Sequence, residues 1–360
     1  MKNIFATKRG IIIVGSVIGI LASLLQLLGN PANMGICVAC FVRDITGALG
    51  LHRASAVQYL RPEIIGFVLG SFIAAHSFKE FRPRLGSAPI VRFVLGGFSM
   101  IGALIFLGCP WRALLRLAGG DWNAVAGLIG LVVGIWIGIK FLKKGYNLGS
   151  SHSTYKAAGW IFPIMMAGLL IIMLLNPIID GEPQSGLLLY SVEGPGSMHA
   201  PIVISLMISL VIGFLAQRSR FCTMGAIRDI ILFRQFHLFL GIAGLVLTAF
   251  VMNLVTDQFN PGFLLQPVAH TMQFWNFSGM VLAGLAFTLA GGCPGRQLFL
   301  SGEGDGDAAI FVIGMVAGAA FAHNFGLASS AAGTTIPGMI AVAIGLVTCL
   351  LIGFTMKEKL

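Results

Sequence analysis

The chain alternates between long apolar stretches and short polar interruptions. A helix needs about 20 consecutive apolar residues to cross a bilayer, and ten stretches of roughly this kind follow one another along the sequence. The second stretch is short, so we expect it to be tilted or partly re-entrant. The predicted spans lie near residues 11–28, 63–78, 88–108, 121–142, 158–176, 199–217, 236–256, 273–291, 307–324 and 335–355.

The composition supports a membrane location. Apolar residues make up 57% of the 360 positions, and Asp, Glu, Lys and Arg make up only 10%, whereas a soluble domain carries about 25% charged residues. Such a chain would expose too much apolar surface for a cytosolic enzyme or a secreted domain. The 48 glycines suit the close packing of membrane helices. We therefore predict an all-α polytopic membrane protein.

The distribution of Lys and Arg predicts the orientation. Neither residue occurs from Ala157 to Gln217, and the loop inside this stretch carries Asp180, Glu182 and Glu193. Because cytoplasmic loops are rich in Lys and Arg, this loop should face outward, and both termini should lie in the cytoplasm beneath a bacterial-type inner membrane. The net charge of +10 sits mainly in short clusters between spans, so we expect the lipid bilayer and not nucleic acid as its partner.

The two halves of the chain carry matching motifs. Gly-Cys-Pro-Trp-Arg at residues 108–112 recurs as Gly-Cys-Pro-Gly-Arg at residues 292–296, a shift of 184, and Cys37 recurs as Cys222 at a shift of 185. Each half holds five predicted spans, an odd number, so the second half would enter the membrane from the opposite side. Such inverted repeats are typical of transporters whose site lies between the halves. We predict a first membrane repeat over residues 1–176, an extracytoplasmic connecting loop over 177–198 and a second, inverted repeat over 199–360.

Four segments between the spans are too polar or too short to cross the membrane. They cover residues 31–51 and 108–120 in the first half and residues 217–235 and 291–307 in the second. Irregular backbone is tolerated at membrane depth only where protein or water surrounds it. We therefore interpret all four as re-entrant loops, each turning into a short helix. Two loops entering from each side predict an hourglass with a central constriction.

Four of the six cysteines lie in these loops, and we predict that they line the substrate path. They are Cys37, Cys109, Cys222 and Cys293. Cys40 forms a Cys-x-x-Cys pair with Cys37, but a zinc site would want a second ligand pair and a redox pair normally sits in a soluble fold. Since Cys40 aligns with Gly225 in the repeat, we favour a role for Cys37 alone.

Arginines accompany the cysteines in the same loops. Thiols suit a soft sulfur or selenium atom, guanidinium groups pair well with oxyanions, and the N-termini of short helices add partial positive charge. This combination favours an anion with both a soft sulfur and hard oxygens. The arginines expected to attract it are Arg43, Arg112, Arg116, Arg228 and Arg296. We expect the three in the first half to concentrate the anion at the outer mouth by long-range attraction, unless they form structural pairs with neighbouring aspartates.

These motifs resemble the YeeE/YedE family of membrane proteins, also called the sulphur-transport family. The resemblance rests on the two Gly-Cys-Pro-x-Arg loops, the Arg-Phe-Cys-Thr-Met-Gly loop around Cys222 and the Gly-Ile-Cys loop at Cys37. It implies an hourglass-shaped importer of thiosulfate. It also implies that Cys37, Cys109 and Cys293 hand the anion inward through S–H···S contacts, with Cys222 in the fourth loop, and that a small TusA-like sulfur-carrier protein works beside the transporter.

Details of the motifs leave the substrate open between two anions. The residues after the two Cys-Pro pairs, and the Arg-Asp loops, look more like a YedE branch associated with selenium metabolism, so a selenium-containing anion is the alternative to thiosulfate. Two other classes of protein compete with a transporter. A membrane thiol oxidoreductase would want its cysteine pairs on one side of the membrane, and a scaffold subunit would not need mirrored cysteines. We expect a transporter and not an enzyme, with no metal and no cofactor.

Overall fold

The computed structural model describes residues 4–176, 178–179, 182–183 and 186–357, and the all-α class predicted from the sequence is confirmed. Short two-residue strands are the only sheet in this part of the chain: β1 (Arg84–Leu85) pairs with β2 (His152–Ser153), and β3 (Ile178–Ile179) pairs with β4 (Glu182–Pro183), both antiparallel. The helices are α1 (Lys8–Leu27), α2 (Val38–Ala48), α3 (Pro62–Ser77), α4 (Pro89–Phe106), α5 (Pro110–Ala118), α6 (Asn123–Lys143), α7 (Lys156–Leu175), α8 (Ile202–Ser219), α9 (Thr223–Phe233), α10 (His237–Val255), α11 (Gln273–Ala290), α12 (Pro294–Gly302), α13 (Gly306–Asn324) and α14 (Ile336–Thr355).

Each of the ten predicted spans corresponds to one long helix. Nine segments of the described ranges are long and apolar enough to cross a membrane. The tenth predicted span is α3, which has 16 residues and is therefore short for a full crossing at about 1.5 Å per residue. The protein is a multi-pass membrane protein by the length and composition of these helices.

The four segments predicted as re-entrant loops each contain a short helix. In the first half these are α2 and α5, and in the second half α9 and α12. The helix bounds repeat with the sequence motifs: α2 and α9 are separated by 185 residues at both ends, and α5 and α12 by 184. The same shift of 184 separates α4 from α11. The sequence repeat is therefore also a repeat of elements.

The long helices pack mainly across the two halves. Helix α1 lies against α10, and its counterpart α8 lies against α3; likewise α6 lies against α11, and α13 lies against α4. If each helix is replaced by its counterpart in the other half, the α1–α10 pair becomes the α8–α3 pair, and the α6–α11 pair becomes the α13–α4 pair. Each half therefore buries its helices against the other half.

Glycines allow these helices to approach closely. A Cβ at Gly134 of α6 would lie 2.2 Å from the carbonyl oxygen of Val281 on α11. A Cβ at the matching Gly318 of α13 would lie 2.6 Å from the carbonyl oxygen of Gly97 on α4. Both the glycines and the residues they face are separated by 184 positions, so this glycine contact repeats with the sequence motifs. Small residues permit this backbone contact, which stabilises packed membrane helices.

The segment between the halves docks on the first half where it is described. The backbone N–H of Ser191 donates to the carbonyl oxygen of Gln58 at 2.8 Å, and the Arg61 guanidinium donates to Pro195 O at 2.7 Å. Asp180, which marks the loop predicted to face outward, lies outside the described residues, as do residues 1–3 and 358–360 at the two termini.

Candidate functional site

The four loop cysteines all occupy the same local position, the residue just before a short helix. Cys37, Cys109, Cys222 and Cys293 are the N-caps of α2, α5, α9 and α12. An N-terminus carries unpaired backbone N–H groups and partial positive charge. The fold therefore surrounds these thiols with groups that favour negative charge.

The two halves build their N-caps in the same two ways. The Cys37 sulfur accepts the N–H of Cys40 at 3.3 Å, and the Cys222 sulfur accepts the N–H of Gly225 at 3.2 Å. Cys109 and Cys293 are instead each followed by a proline in the first turn of the helix. Cys40 and Gly225 therefore hold equivalent positions in the structure, as they do in the sequence repeat.

The thiols form two groups. The second-half thiol pair consists of Cys222 and Cys293, whose sulfurs lie 3.6 Å apart. The first-half thiol cluster consists of Cys37, Cys40 and Cys109: Cys37 lies 2.6 Å from Cys40, sulfur to sulfur, and hydrogen-bonds Cys109. In each group a cysteine followed by proline meets a cysteine from the other short helix of the same half. No group of His, Cys, Asp and Glu in the described ranges has the arrangement of a metal site.

Arg112 is a buried cation beside the first-half thiol cluster. Its side chain is fully buried, and one terminal nitrogen lies 3.9 Å from the Cys40 sulfur and donates to Leu107 O. The other donates to the carbonyl oxygens of Pro267 and Val268, both at 3.1 Å, while Nε has no partner. Within the described part of the chain, no carboxylate forms an ion pair with it.

Arg43 and Arg116, the other two first-half arginines predicted to attract the anion, are buried and paired with aspartates. Arg43 bonds Asp44 at 2.7 Å, and Arg116 bonds Asp121 at 2.6 Å. These side chains are at most 3% exposed, so the structure places them in the interior and not at an open outer mouth. Sequence reasoning did not single out Arg61, which also bonds Asp44, at 2.8 Å.

Arg228 and Arg296, the two second-half arginines predicted to attract the anion, border a cavity of about 350 Å³. Arg228 pairs with Asp229 at 2.8 Å and remains 35% exposed, while Arg296 pairs with Glu303 at 3.0 Å. The cavity is lined by Cys222 together with Ser219, Arg220, Gly225, Arg228, Asp229, His237, Leu238, Gly291 and Arg296. The second-half thiol pair therefore opens, at Cys222, into a polar, basic space.

A smaller polar cavity of about 120 Å³ shares Arg220 and Arg296 with the first. On its wall, Glu80 accepts from Gln217 at 2.9 Å and pairs with Arg218 at 2.9 Å. Burial alone would raise the pKa of Glu80, but these two donors outweigh it and hold the pKa below its usual value. Glu80 is therefore ionised at neutral pH and offsets part of the basic charge here.

Sequence reasoning missed two residues that lie near the thiols. Arg220, in the left-handed conformation at the end of α8, stands two residues before Cys222 and lines the basic cavity. Trp111 lies buried between the loops of the two halves. The sequence did contain a signal for Trp111. It stands at the one position where the two Gly-Cys-Pro-x-Arg motifs differ, with tryptophan in the first and glycine in the second.

Comparison with known proteins gives two matches. Residues 218–356 match the family model described as sulphur transport. A segment of 76 residues is 38% identical to the thiosulfate transporter TsuA of Escherichia coli (strain K12). That alignment covers 20% of this chain and 22% of the length of TsuA. The two matches confirm the resemblance of this chain to the YeeE/YedE sulphur-transport family.

Proposed function

We propose that this protein is a membrane transporter that imports a sulfur-containing anion of the thiosulfate type. The path runs from the first-half thiol cluster to the second-half thiol pair, past Cys37, Cys109, Cys222 and Cys293. The family match and the name of the similar relative support transport of such an anion. The two repeats, with their connecting segment at residues 177–198, would supply the inverted halves, with both termini in the cytoplasm.

The observation that carries this proposal is the environment of Arg112. A buried guanidinium without a carboxylate partner is costly, and here it lies beside the first-half thiol cluster, 3.9 Å from the Cys40 sulfur. A thiosulfate-like anion could bind both the Arg112 guanidinium and the thiols. Its oxygens suit the guanidinium, and its terminal sulfur suits the thiols. Its charge would also compensate that of Arg112.

Burial changes the expected role of this arginine. A surface charge attracts ions over distance and is screened by salt over about 8 Å. Arg112 is fully buried, so we propose that it binds the anion at short range. Its contribution to uptake should then depend little on ionic strength.

Uptake of radiolabelled thiosulfate into proteoliposomes tests the proposal. Arg112→Gln should reduce uptake strongly at every salt concentration, and Arg112→Lys should restore part of it because the charge is retained without bidentate geometry. The control is Arg53→Gln, which removes an exposed arginine from the same half and should leave uptake near the wild-type level. Wild-type uptake by a folded Arg112→Gln protein would contradict the proposal.

The alternative substrate is a selenium-containing anion, which the same soft and hard groups would accept. Competition by selenium oxyanions and selenosulfate against labelled thiosulfate separates the two. We expect thiosulfate to compete best. A TusA-like sulfur-carrier protein would be the partner at the cytoplasmic side and would draw the product from the basic cavity.

The second candidate function is a membrane thiol oxidoreductase. It is favoured by one contact, that between the sulfurs of Cys37 and Cys40 at 2.6 Å, because a redox function requires two neighbouring thiols. Transport through Cys37 does not require Cys40. The separate substitution of these two cysteines, argued in the Discussion, distinguishes the two functions.

A further inference from the structure

Trp111 lies between the loops that carry the two thiol groups. It follows Cys109 by two residues and is 1% exposed. Its ring packs against Phe67, Phe221 and Phe299 with centroid distances of 5.9, 5.9 and 5.8 Å. Phe221 directly precedes Cys222, so this side chain of the first half reaches the loops of the second.

The ring lies over Gly295, its own counterpart in the repeat. A Cβ at Gly295 would be 3.1 Å from Cζ2 of Trp111 and 3.4 Å from Cε2. Equivalent residues of two related halves meet where the halves meet, and only one of them can carry a bulky side chain there. The sequence therefore places a tryptophan on one half and a glycine on the other.

This packing separates the two thiol groups. The basic cavity of about 350 Å³ reaches Cys222, but its lining includes neither Trp111 nor any thiol of the first-half cluster. Cys37, Cys40 and Cys109 are at most 1% exposed. The first-half thiols are thus closed off from this cavity, and Trp111 packs between the loops that carry the two groups.

The indole carries a second feature that packing does not explain. Its Nε1 is buried and has no hydrogen-bond partner, although buried donors are nearly always paired. Nε1 is bonded to Cε2, one of the three ring atoms nearest to Gly295, so the unpaired N–H lies close to the N-terminus of α12. The hydroxyl of Thr223, the residue after Cys222, is also buried without a partner. Two unpaired donors thus lie near the second-half thiol pair.

We propose that Trp111 is the gate between the first-half thiol cluster and the second-half thiol pair, and that its indole N–H binds an oxygen of the anion during transit. The ring closes the path when no anion is present. When the anion passes, the N–H gains the acceptor it lacks, and this compensates the displaced aromatic contacts. The proposal rests on the transport function argued above and adds a residue that selects for an oxyanion.

Thiol labelling tests the gate without any substrate. Sealed vesicles are treated with a small charged methanethiosulfonate from the side on which wild-type Cys222 reacts, and the modified cysteines are identified by mass spectrometry. In the wild type and in Trp111→Phe, Cys109 should remain unmodified. In Trp111→Ala, Cys109 should become modified. Protection of Cys109 in a folded Trp111→Ala protein would overturn the gate.

Thiosulfate uptake tests the N–H. Trp111→Phe keeps an aromatic ring but has no donor, so its uptake should fall about tenfold, the usual scale for a hydrogen bond to a charged group. Wild-type uptake by Trp111→Phe would overturn the donor role. Because labelling needs no anion, a wild-type protein that transports no thiosulfate would refute the proposed function while leaving the gate result intact.

Discussion

Asp44 accepts hydrogen bonds from two arginines in a fully buried position. Arg43 donates to one carboxylate oxygen at 2.7 Å and Arg61 to the other at 2.8 Å. Arg61 also lies over the rings of Phe41 and Tyr59. The aspartate therefore compensates two guanidinium groups that have almost no access to water.

Asp44→Asn should destabilise the protein strongly. It leaves two buried cations without a carboxylate, and breaking a buried ion pair costs about 3–5 kcal/mol. The matched control is Asp229→Asn, the equivalent change in the second half, where Arg228 is 35% exposed and the cost should stay below about 1 kcal/mol. Thermal unfolding in detergent measures both, and equal melting temperatures for the two variants would contradict the burial argument.

Cys37 and Cys40 should differ in their effect on uptake. Cys37 has a counterpart in Cys222, whereas the counterpart of Cys40 is Gly225, which has no thiol to offer. Cys37→Ala should therefore abolish most thiosulfate uptake, and Cys40→Ala should retain most of it. Uptake by purified variants in proteoliposomes is the measurement. If both substitutions abolish uptake equally, both thiols are needed. That result would favour the thiol oxidoreductase and contradict a transport path that uses Cys37 without Cys40.

For individual residues, the sequence predicted which side chains come together better than it predicted how exposed they are. Motif spacing was enough to associate Arg112 with the loop thiols. It did not show that Arg43 and Arg116 are buried, because burial depends on packing between residues distant in sequence. Trp111 was missed for the same reason, since the space it fills is left by Gly295 of the other half.

The short helices show how local sequence sets element bounds. Pro110 and Pro294 stand in the first turns of α5 and α12, where proline costs no hydrogen bond and its fixed φ suits the helix. The start of each helix could therefore be placed close to its Cys-Pro pair. By contrast, the hydrophobic pattern alone could not fix how deeply α3 reaches, because its 16 residues are short for a full crossing at about 1.5 Å per residue.

The close approach of α6 and α11 should not tolerate a methyl group. Gly134→Ala would put a Cβ 2.2 Å from the carbonyl oxygen of Val281, and two packed backbones cannot separate without losing contacts along both helices. Gly168→Ala on α7 is the control, because nothing lies within 4 Å of its Cβ position and alanine is the better helix former by about 1 kcal/mol.

Thermal unfolding should therefore show a marked loss of stability for Gly134→Ala and none for Gly168→Ala. The result would link the repeated glycine pattern to contact between the halves. Equal stability of the two variants would mean that these glycines have no packing role.

In the whole molecule, the helix pairs that join the two halves make each half depend on the other for the burial of its contact faces. Because α1, α3, α8 and α10 pack across the halves, each half exposes its contact faces when separated. The repeat was predictable from two cysteine motifs at nearly one shift. The reciprocal pairing was not, because sequence spacing carries no information on which helix faces which.

The proposed inverted orientation of the halves can be tested by cysteine labelling of matched loops. Ser150 follows α6 and Ala331 follows α13, and both are exposed. The six native cysteines are buried, so a bulky reagent should give little background. If the repeats are inverted, the loops at these two positions lie on opposite sides of the membrane. In sealed right-side-out vesicles, a membrane-impermeant maleimide should label Ala331→Cys at once and Ser150→Cys only after permeabilisation. Labelling of both from outside would place the two loops on one side and exclude an inverted repeat.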